Sequence, residues 1–389
     1  MYINKAKARS FIESLIKHAD ITINGNRGWD ITVNDERFFT KVLNEQELGF
    51  GESYMDGWWD CPHIDQMIDR LMRARIHEKI DPNISFYLQC LLHKLVNFQT
   101  IQRSKQVAYQ HYDLGNPLYE KMLDSRMNYS CGYWKHADNL DKAQEDKLEL
   151  LCRKLHLKPG MTLLDIGCGW GAMAYHAAKY HGAKVLGVTI SKEQKIIADE
   201  RCRGLPVTIK LEDYRHVTGT FDRIVSIGMF EHVGQKNYAT YMNQVRRNLS
   251  DDGIFVLHTI GSNERTLRGN RWITKYIFPN SALPSPMQIA KSFERRFVME
   301  DWHNFGADYD FTLMAWHHNF IENWDTLKHQ YDERFFRMWN YYLLSCAGGF
   351  RARELQLWQI VLTKYGIPGG YQYEPLTTEE ALAVNTHTC

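Results

Sequence analysis

The sequence lacks the features that are typical of several large classes of protein. Its 389 residues contain no apolar run near the ~20 residues that a membrane-spanning helix needs. The eight cysteines are scattered and form no CxxC pair, so we expect free thiols and a reducing cytoplasm. A formal net charge of +1 argues against nucleic-acid binding by bulk electrostatics. What remains is an ordinary globular chain without repeats or low-complexity tracts.

The length predicts about two domains, since single cores stop growing near ~250–300 residues. Charged and apolar residues alternate through Met1–Asp20. This pattern predicts an amphipathic helix and not a signal peptide, which needs an uninterrupted apolar core. Aromatic residues reach 13% of the chain. An aromatic core explains that figure, and so does a site that handles cations or lipid chains.

A mostly helical N-terminal domain is predicted over 1–105. Glycines within Ile21–Val33 suggest a short hairpin, and Leu48–Trp59 reads as a glycine-rich aromatic turn used for packing. Between Arg70 and Lys105, basic residues outnumber acidic ones and apolar residues recur at near-helical spacing. Such a helix either lies on an anionic membrane surface or packs on a core with its basic residues solvated.

After Met161 the pattern changes to strands that alternate with helices, which predicts a parallel, doubly wound α/β sheet. Ser191 and Gln194 have capping-box spacing at the start of one helix. We place this catalytic domain at 106–366 and a loosely held tail at 367–389. The predicted strands are Thr162–Ile166, Lys184–Ile190, Val207–Leu211, Arg223–Ile227 and Ile254–His258.

The glycine loop Leu164–Gly171, LDIGCGWG, follows a predicted strand and opens a helix. Gly167, Gly169 and Gly171 would let the backbone turn sharply and approach a ligand. A dinucleotide-binding dehydrogenase is the competing interpretation. It expects an acid at the end of the second strand to hold the ribose, but that strand ends in Val188–Ser191 without one.

The loop resembles motif I of class I S-adenosylmethionine-dependent methyltransferases, whose sheet is Rossmann-like. Other strings resemble, in order, those of cyclopropane fatty acid synthases, and the N-terminal GFGESYMDGWWDC resembles the bacterial phospholipid type. The strings are His111–Asn116 (HYDLGN), Asn128–Trp134 (NYSCGYW), Gly228–Gly234 (GMFEHVG), Leu257–Gly261 (LHTIG) and Asn304–Asp310 (NFGADYD). The resemblance covers nearly the whole chain and implies two last strands, Phe297–Phe305 and an antiparallel Leu355–Thr363.

The resemblance implies an S-adenosylmethionine site around the glycine loop and the ends of the neighbouring strands. Gln194 also has an explanation as a capping-box partner, and Tyr214 as a packing residue. The implied residues are Tyr129, Ser130, Asp165, Gly167, Gly169, Thr189, Ile190, Gln194, Asp213 and Tyr214.

The same resemblance implies a bound bicarbonate ion as proton acceptor, and no metal. A tyrosine, a histidine and a backbone N–H can donate to an oxyanion, whereas an ionised Glu231 would accept the ion's own proton or relay it through His258. Cys131 and His258 also have structural interpretations, as a small buried residue and as a partner of a buried carbonyl. The implied shell is Cys131, Glu231, His258, Tyr309 and the backbone of Ile260.

The implied activity is the methylenation of a cis double bond in a phospholipid acyl chain. The rivals are a methyltransferase that gives a methyl-branched or hydroxylated chain or methylates an amine, and a non-catalytic lipid-binding relative. We expect an unsaturated phospholipid as substrate, a homodimer formed through the N-terminal domain, and no nucleic-acid partner. The expected location is the cytoplasm, with peripheral contact to the inner face of the membrane.

Overall fold

The computed structural model describes residues 5–75, 115–265, 269–279 and 281–376. They form two compact units. The first takes its described residues from 5–75, 269–279 and 313–355, and the second from 115–265, 281–312 and 356–376. Residues 269–279 and 313–355 lie inside the range predicted for the catalytic domain, yet they pack with the N-terminal residues. The lipid-contact and dimerisation roles assigned to 1–105 remain predictions.

The first unit is mainly helical. Its N-terminal part contains α1 (Lys5–Lys17), β1 (Thr32–Val33), α2 (Arg37–Glu45), α3 (Glu47–Met55), β2 (Trp59–Asp60) and α4 (Ile64–Arg73). Later in the chain it adds α10 (Arg271–Tyr276), α13 (Trp324–Leu327) and α14 (Glu333–Arg351). α1 confirms the predicted amphipathic helix, because its buried residues Ala8, Ile12, Leu15 and Ile16 follow helical spacing.

Two local predictions in this unit are wrong. The strand within 21–33 forms no hairpin, since Thr32–Val33 pairs antiparallel with Trp59–Asp60 instead. The expected turn at 48–59 is largely helix α3. Its glycines do serve close packing, because a Cβ on Gly51 would lie 2.4 Å from Cδ1 of Trp272. Packing against α10 therefore outweighs the low helix propensity of glycine.

The second unit is built on a seven-stranded sheet of order β5-β4-β3-β6-β7-β9-β8. The strands are β3 (Thr162–Ile166), β4 (Lys184–Thr189), β5 (Val207–Leu211), β6 (Phe221–Ile227), β7 (Leu249–Ser262), β8 (Val298–Asn304) and β9 (Leu355–Thr363). The helices are α5 (Asn116–Met122), α6 (Leu140–Lys154), α7 (Ala172–His181), α8 (Lys192–Arg201), α9 (Tyr238–Asn248) and α11 (Pro286–Phe293). One further helix, α12 (Asp308–Glu322), begins in this unit and ends in the first.

The sheet confirms the predicted doubly wound α/β fold. β3 pairs parallel with β4 and β6, and β6 pairs parallel with β7. β8 and β9 pair antiparallel, as the resemblance implied. Buried apolar residues cover both faces, which is the pattern of a parallel sheet with helices on each side. The carboxyl ends of β3, β4, β6 and β7 therefore meet at one edge, where ligands bind in such sheets.

Most of the basic Arg70–Lys105 stretch lies outside the described residues. Within the described part, Arg70 pairs with Asp20, and Arg73 pairs with Asp69. Across the described ranges, no helix combines the length and apolar character needed to cross a bilayer. The cysteines seen in these ranges are free thiols, as predicted: Cys61, Cys131, Cys152, Cys168, Cys202 and Cys346.

Candidate active site

The glycine loop leaves β3 and leads directly into α7. Gly167, Gly169 and Gly171 have φ values of 82°, 54° and 83°, in the left-handed region that favours glycine. The N–H groups of Gly167 and Cys168 both donate to the carbonyl of Val188 at 3.0 Å, which ties the loop to β4. A Cβ on Gly169 would meet no atom within 4 Å. The backbone at Gly169 is thus open to a ligand.

Asp165 lies at the start of this loop, and only 1% of its surface is exposed. Its Oδ2 has no hydrogen-bond partner among the described residues. Burial raises the pKa of this carboxyl to about 7, although the charge of Lys147 acts in the opposite direction. A buried carboxyl with a free oxygen can accept from a cationic or amino group of a ligand.

The end of β4 presents Thr189 and Gln194, both buried. The Thr189 hydroxyl donates to Gln194 Oε1 at 2.8 Å, and the Ser191 hydroxyl accepts from the Gln194 N–H at 3.3 Å. Only half of the predicted capping box is therefore formed, because the Gln194 side chain binds Thr189 and not the Ser191 backbone. Ile190 is 38% exposed beside this pair, an apolar surface next to the loop.

Asp213 and Tyr214 follow β5 at the same edge of the sheet. Both Asp213 oxygens accept from Arg215, at 2.8 and 2.7 Å. Burial alone would raise the pKa of Asp213, but the hydrogen bonds from Arg215 outweigh burial and hold the pKa below its ordinary value. The Tyr214 ring packs edge-on against Tyr241, with centroids 5.3 Å apart. Tyr214 thus has the packing role considered above, while its ring remains partly exposed.

Lys147, which sequence reasoning missed, is a buried cation that contacts Asn128 and Ser130, the residues on either side of Tyr129 in the chain. It lies on α6 and donates to the Asn128 side-chain oxygen at 2.9 Å and the Ser130 hydroxyl at 3.1 Å. Burial lowers the pKa of this lysine to about 8, while Asp124, Cys131 and Asp165 oppose the shift. Its charge also helps to lower the pKa of His258. Residues of both predicted sites therefore surround one buried ammonium group.

Glu231 is held at the carboxyl end of β6 by a short helical turn, Phe230–His232. Its Oε1 accepts from the backbone N–H of Ile260 at 2.6 Å, so these two members of the predicted shell are in direct contact. Its Oε2 is buried and has no hydrogen-bond partner in the described part of the chain. Burial raises the pKa of Glu231 to about 7. The Ile260 N–H was predicted to face the anion, but here it is bonded to Glu231.

His258 lies opposite Ile227 in the β6–β7 pairing. It is the last residue of the predicted strand, but β7 continues to Ser262. Its Nδ1 faces the Gln359 side-chain nitrogen at 3.3 Å, and its Nε2 has no partner within the described ranges. Burial holds the pKa of His258 well below its ordinary value, so the ring is neutral. With Gln359 donating to Nδ1, the proton of the neutral ring lies on Nε2, which becomes a buried N–H donor.

Cys131 and Tyr309 are both buried, and Cys131 contacts Thr312 of the helix that carries Tyr309. The Thr312 hydroxyl lies 3.9 Å from Cys131 Sγ and accepts from the Gly132 N–H at 3.0 Å. Tyr309 lies one turn before Thr312 on α12. Burial holds the pKa of Cys131 well above its ordinary value, so this cysteine is a neutral thiol. It can donate weakly but is no thiolate nucleophile.

Aromatic rings border His258. The Phe305 ring lies edge-on to His258 with centroids 5.9 Å apart, and Tyr133 packs edge-on against Phe305 at 5.3 Å. Phe305 and Tyr133 are both buried. The neighbourhood of the histidine is therefore dry and rich in π-systems, which attract positive charge.

Comparison with known proteins identifies the family of this chain. The sequence profile of the mycolic acid cyclopropane synthetases matches residues 99–360. The chain is 54% identical to the cyclopropane-fatty-acyl-phospholipid synthase of Escherichia coli K12 over 92% of its own length and 93% of that protein. A cyclopropane synthase from Mycobacterium tuberculosis superposes with a TM-score of 0.64 at 30% identity, covering 67% of this chain and 98% of that one.

A mycolic acid cyclopropane synthase solved in complex with SAH and CTAB is also similar. It superposes with a TM-score of 0.63 at 30% identity and covers 67% of this chain and 98% of its own. These neighbours confirm the class I methyltransferase fold predicted from the glycine loop and the strand pattern. By sequence and by structure, this chain belongs to the family of the mycolic acid cyclopropane synthetases.

Proposed function

We propose that this protein is a cyclopropane-fatty-acyl-phospholipid synthase, which transfers a methylene group from S-adenosylmethionine to the cis double bond of an unsaturated phospholipid acyl chain. The observation that carries the proposal is the pair of buried polar atoms without described partners, Glu231 Oε2 and His258 Nε2. Glu231 follows the carboxyl end of β6, and His258 pairs with the last residue of that strand. An acceptor and a donor buried without partners are costly unless a ligand completes them.

S-adenosylmethionine enters the reaction as a substrate held by the glycine loop. Asp165 supplies a buried carboxyl oxygen without a described partner, and Gly169 supplies open backbone. The rest of the proposed cradle is Tyr129, Ser130, Gly167, Thr189, Ile190, Gln194, Asp213 and Tyr214. Since no base can activate an isolated alkene, catalysis depends on holding the alkene against the sulfonium methyl in a dry pocket.

The bonds change in a simple order. The π electrons of the alkene attack the methyl carbon, the carbon–sulfur bond breaks, and S-adenosylhomocysteine leaves. The acyl chain then carries a cation, which the faces of Phe305 and Tyr133 can stabilise without capturing it. A base takes a proton from the transferred methyl group, and the freed electron pair closes the ring.

The residues around Glu231 fit a small oxyanion as that base. When bound there, bicarbonate supplies a compact proton acceptor that the protein side chains need not replace. His258 Nε2–H would donate to the anion, Tyr309 would add a second donor, and Cys131 would offer a weak one. When ionised, Glu231 would accept a hydrogen bond from the anion's own O–H at Oε2, while its Oε1 stays on the Ile260 N–H. In this arrangement Ile260 positions Glu231.

Lys147 balances the charge of this region. It is a buried cation among Cys131, Asp165 and His258, and it bonds the Ser130 hydroxyl directly. A fixed positive charge stabilises an anion in a low-dielectric pocket more strongly than in water. We assign Lys147 to positioning of the 128–131 segment and to electrostatic support of the anion.

The proposed reaction takes place at a membrane surface. The substrate is an unsaturated phospholipid, which requires peripheral contact with the cytoplasmic face of a membrane. We also propose that the protein forms a homodimer through its N-terminal unit. Its support is the resemblance to the bacterial phospholipid enzymes.

The experiment that tests the proposal uses the full chain, methyl-labelled S-adenosylmethionine and vesicles of unsaturated phospholipid. We expect label in the acyl chain and cyclopropane protons in the NMR spectrum of the product. A methyl-branched or hydroxylated product, or label in the head group, would assign a different methyl transfer. Cofactor binding without any transfer of label would assign the non-catalytic alternative.

A further inference from the structure

A cluster of potential metal ligands lies on α6 and α7, outside the site described above. Cys152 lies on α6, His176 lies on α7, and His181 is the last residue of α7. One ligand atom from each of these residues lies within 4.8 Å of the other two. Nothing in the proposed reaction uses these residues.

Glu149 completes the cluster from the same face of α6, one turn before Cys152. Its Oε2 lies 3.3 Å from His176 Nε2 and 2.9 Å from His181 Nε2. Zinc bonds of ~2.0–2.3 Å at tetrahedral angles place neighbouring ligand atoms about 3.3–3.8 Å apart. The two imidazole nitrogens thus converge on one carboxylate oxygen at nearly the spacing of a zinc shell.

The surroundings orient these ligands. Glu149 Oε1 accepts from Arg153 Nε at 2.9 Å, which leaves Oε2 directed at the histidines. A second partner of this kind fixes the orientation of a ligating carboxylate. Cys152 is buried and the His176 side chain is only 4% exposed, whereas His181 is 19% exposed. The Glu149 side chain is 21% exposed, so Glu149 and His181 together give an ion a path to the two buried ligands.

We propose that Cys152, His176, His181 and Glu149 form a structural zinc site that clamps α6 to α7. One thiolate, two imidazoles and a carboxylate are a donor set that favours zinc over calcium or magnesium, which prefer oxygen ligands alone. Four protein ligands leave no open position for a substrate, as in structural sites. Since α7 begins directly after the glycine loop, the clamp restrains the helix that carries this loop.

The test uses the full-length protein freed of metal by a chelator and then titrated with zinc. We expect one zinc per chain by elemental analysis and a higher melting temperature with zinc, because an ion that binds only the folded state stabilises it. Cobalt in place of zinc should give the visible bands of tetrahedral cobalt and a thiolate-to-cobalt charge-transfer band. This spectrum reports Cys152 without any need for an altered protein.

Matched variants assign the ligands. Cys152→Ser should remove the charge-transfer band, and His181→Ala should weaken zinc binding at least about tenfold, since even the outer partners of a metal site cost that much. Cys346→Ser and His318→Ala alter a cysteine and a histidine outside the cluster and should bind zinc normally. Absence of stoichiometric zinc, a cobalt spectrum without thiolate, or full affinity in both ligand variants would overturn the proposal. Glu149 would then be an ordinary acceptor for two imidazoles.

Discussion

Glu231 is the residue at which the proposed proton transfer is tested most directly. In Glu231→Gln the amide oxygen can still accept from Ile260, but the carboxylate at Oε2 is lost. We expect turnover to fall at least about a hundredfold, the usual contribution of general-base catalysis, because the anion that acts as base loses the group that orients it. S-adenosylmethionine affinity, measured by calorimetry, should stay nearly normal. Cys131→Ser should be milder, because a hydroxyl replaces the weak thiol donor. Full activity of Glu231→Gln in bicarbonate-depleted buffer would contradict the assignment.

The same substitution has a stability consequence that depends on pH. The folded pKa of Glu231, about 7, lies above the ordinary value of 4.5 for glutamate, so the folded state holds a proton that the unfolded state has released. Folding stability is therefore lost as pH rises from about 4.5 to 7, by on the order of 3 kcal/mol. Glu231→Gln removes this term. Urea unfolding at pH 8 should show the variant to be more stable than the wild type, with a much smaller gain at pH 5. An equal gain at both pH values would contradict the raised pKa.

Gly169 tests the placement of the methyl donor. A Cβ built on Gly169 meets no atom within 4 Å, so a valine there would enter the volume that we assign to S-adenosylmethionine. Gly160→Val is a matched control, because Gly160 also has positive φ and open space but lies in the turn before β3. Both variants share the backbone strain. Calorimetric titration should show binding lost in Gly169→Val and kept in Gly160→Val. Equal affinities would place the donor elsewhere.

Lys147 allows a comparison with a second buried lysine on the same helix. Lys147→Met removes the bonds to Asn128 and Ser130, whereas Lys142→Met removes a pair with Asp146. A buried hydrogen bond from a charged group contributes ~1.5–3 kcal/mol, so we expect Lys147→Met to lose at least about tenfold in kcat/KM. Lys142→Met should affect stability without a comparable loss in kcat/KM. Similar kinetics in the two variants would remove Lys147 from the site.

Two buried polar residues beside the predicted site, Lys147 and Gln359, could not be predicted from the sequence, whereas the glycine loop and the neighbourhood of Glu231 could. The glycine loop and the Glu231–Ile260 contact lie in strings that carry the resemblance. Lys147 lies in none, yet it shares helical spacing with the buried Ala143 and Leu151. This position of a lysine on an apolar helix face was the signal that could have predicted a buried, functional lysine. Gln359 gave no signal, because its contact with His258 depends on how β7 and β9 meet in the sheet.

At the scale of elements, two adjacent glycines in α14 differ in how much room they leave for a side chain. A Cβ on Gly348 would lie 2.5 Å from the Asp65 carbonyl oxygen, whereas a Cβ on Gly349 would lie 3.1 Å from the end of the Leu355 side chain. Backbone cannot move aside as a flexible side chain can. We expect Gly348→Ala to destabilise the protein by ~1–3 kcal/mol, and Gly349→Ala to be nearly neutral because alanine favours helix. Urea unfolding of both variants measures the difference, and equal effects would contradict it.

The elements of the sheet were predictable where periodicity and glycine spacing agree. β3 and β5 have the predicted bounds, and β7 extends beyond its predicted ends. The failures lie in the first unit, where local signals compete with packing. The glycines of α3 suggested a turn, but close approach to Trp272 requires them within a helix. Trp59 and Asp60, remote from β1 in sequence, replaced the expected hairpin partner. Pairing between strands this far apart in the chain cannot be predicted from the local sequence.

At the scale of the molecule, the units combine distant parts of the chain. α14 packs against α4 through Gly348, and α10 packs against α3 through Trp272, although more than half of the sequence separates each pair. A single division at residue 105 misses these later helices, which belong to the first unit. Burial of their apolar faces, and not chain continuity, decides which unit they join.

The whole protein must also reach its lipid substrate, and the basic stretch from Arg70 to Lys105 makes this testable. Basic residues near an anionic surface contribute ~1 kcal/mol each, so replacing Arg73, Arg75 and Lys79 by glutamine should weaken sedimentation with anionic vesicles by up to about a hundredfold at low salt. Arg73 also donates to the Arg351 carbonyl, and Lys79 lies outside the described residues. An unfolding measurement must therefore accompany the vesicle assay.

The control replaces the exposed lysines Lys158, Lys184 and Lys210 of the second unit by glutamine, which makes the same change in net charge. If attraction to the membrane is local to the basic stretch, the control should bind vesicles as the wild type does, and wild-type binding should weaken as salt rises. Equal losses in both triple variants would indicate a general charge effect. Binding that does not depend on salt would remove electrostatics from docking and leave it to apolar side chains.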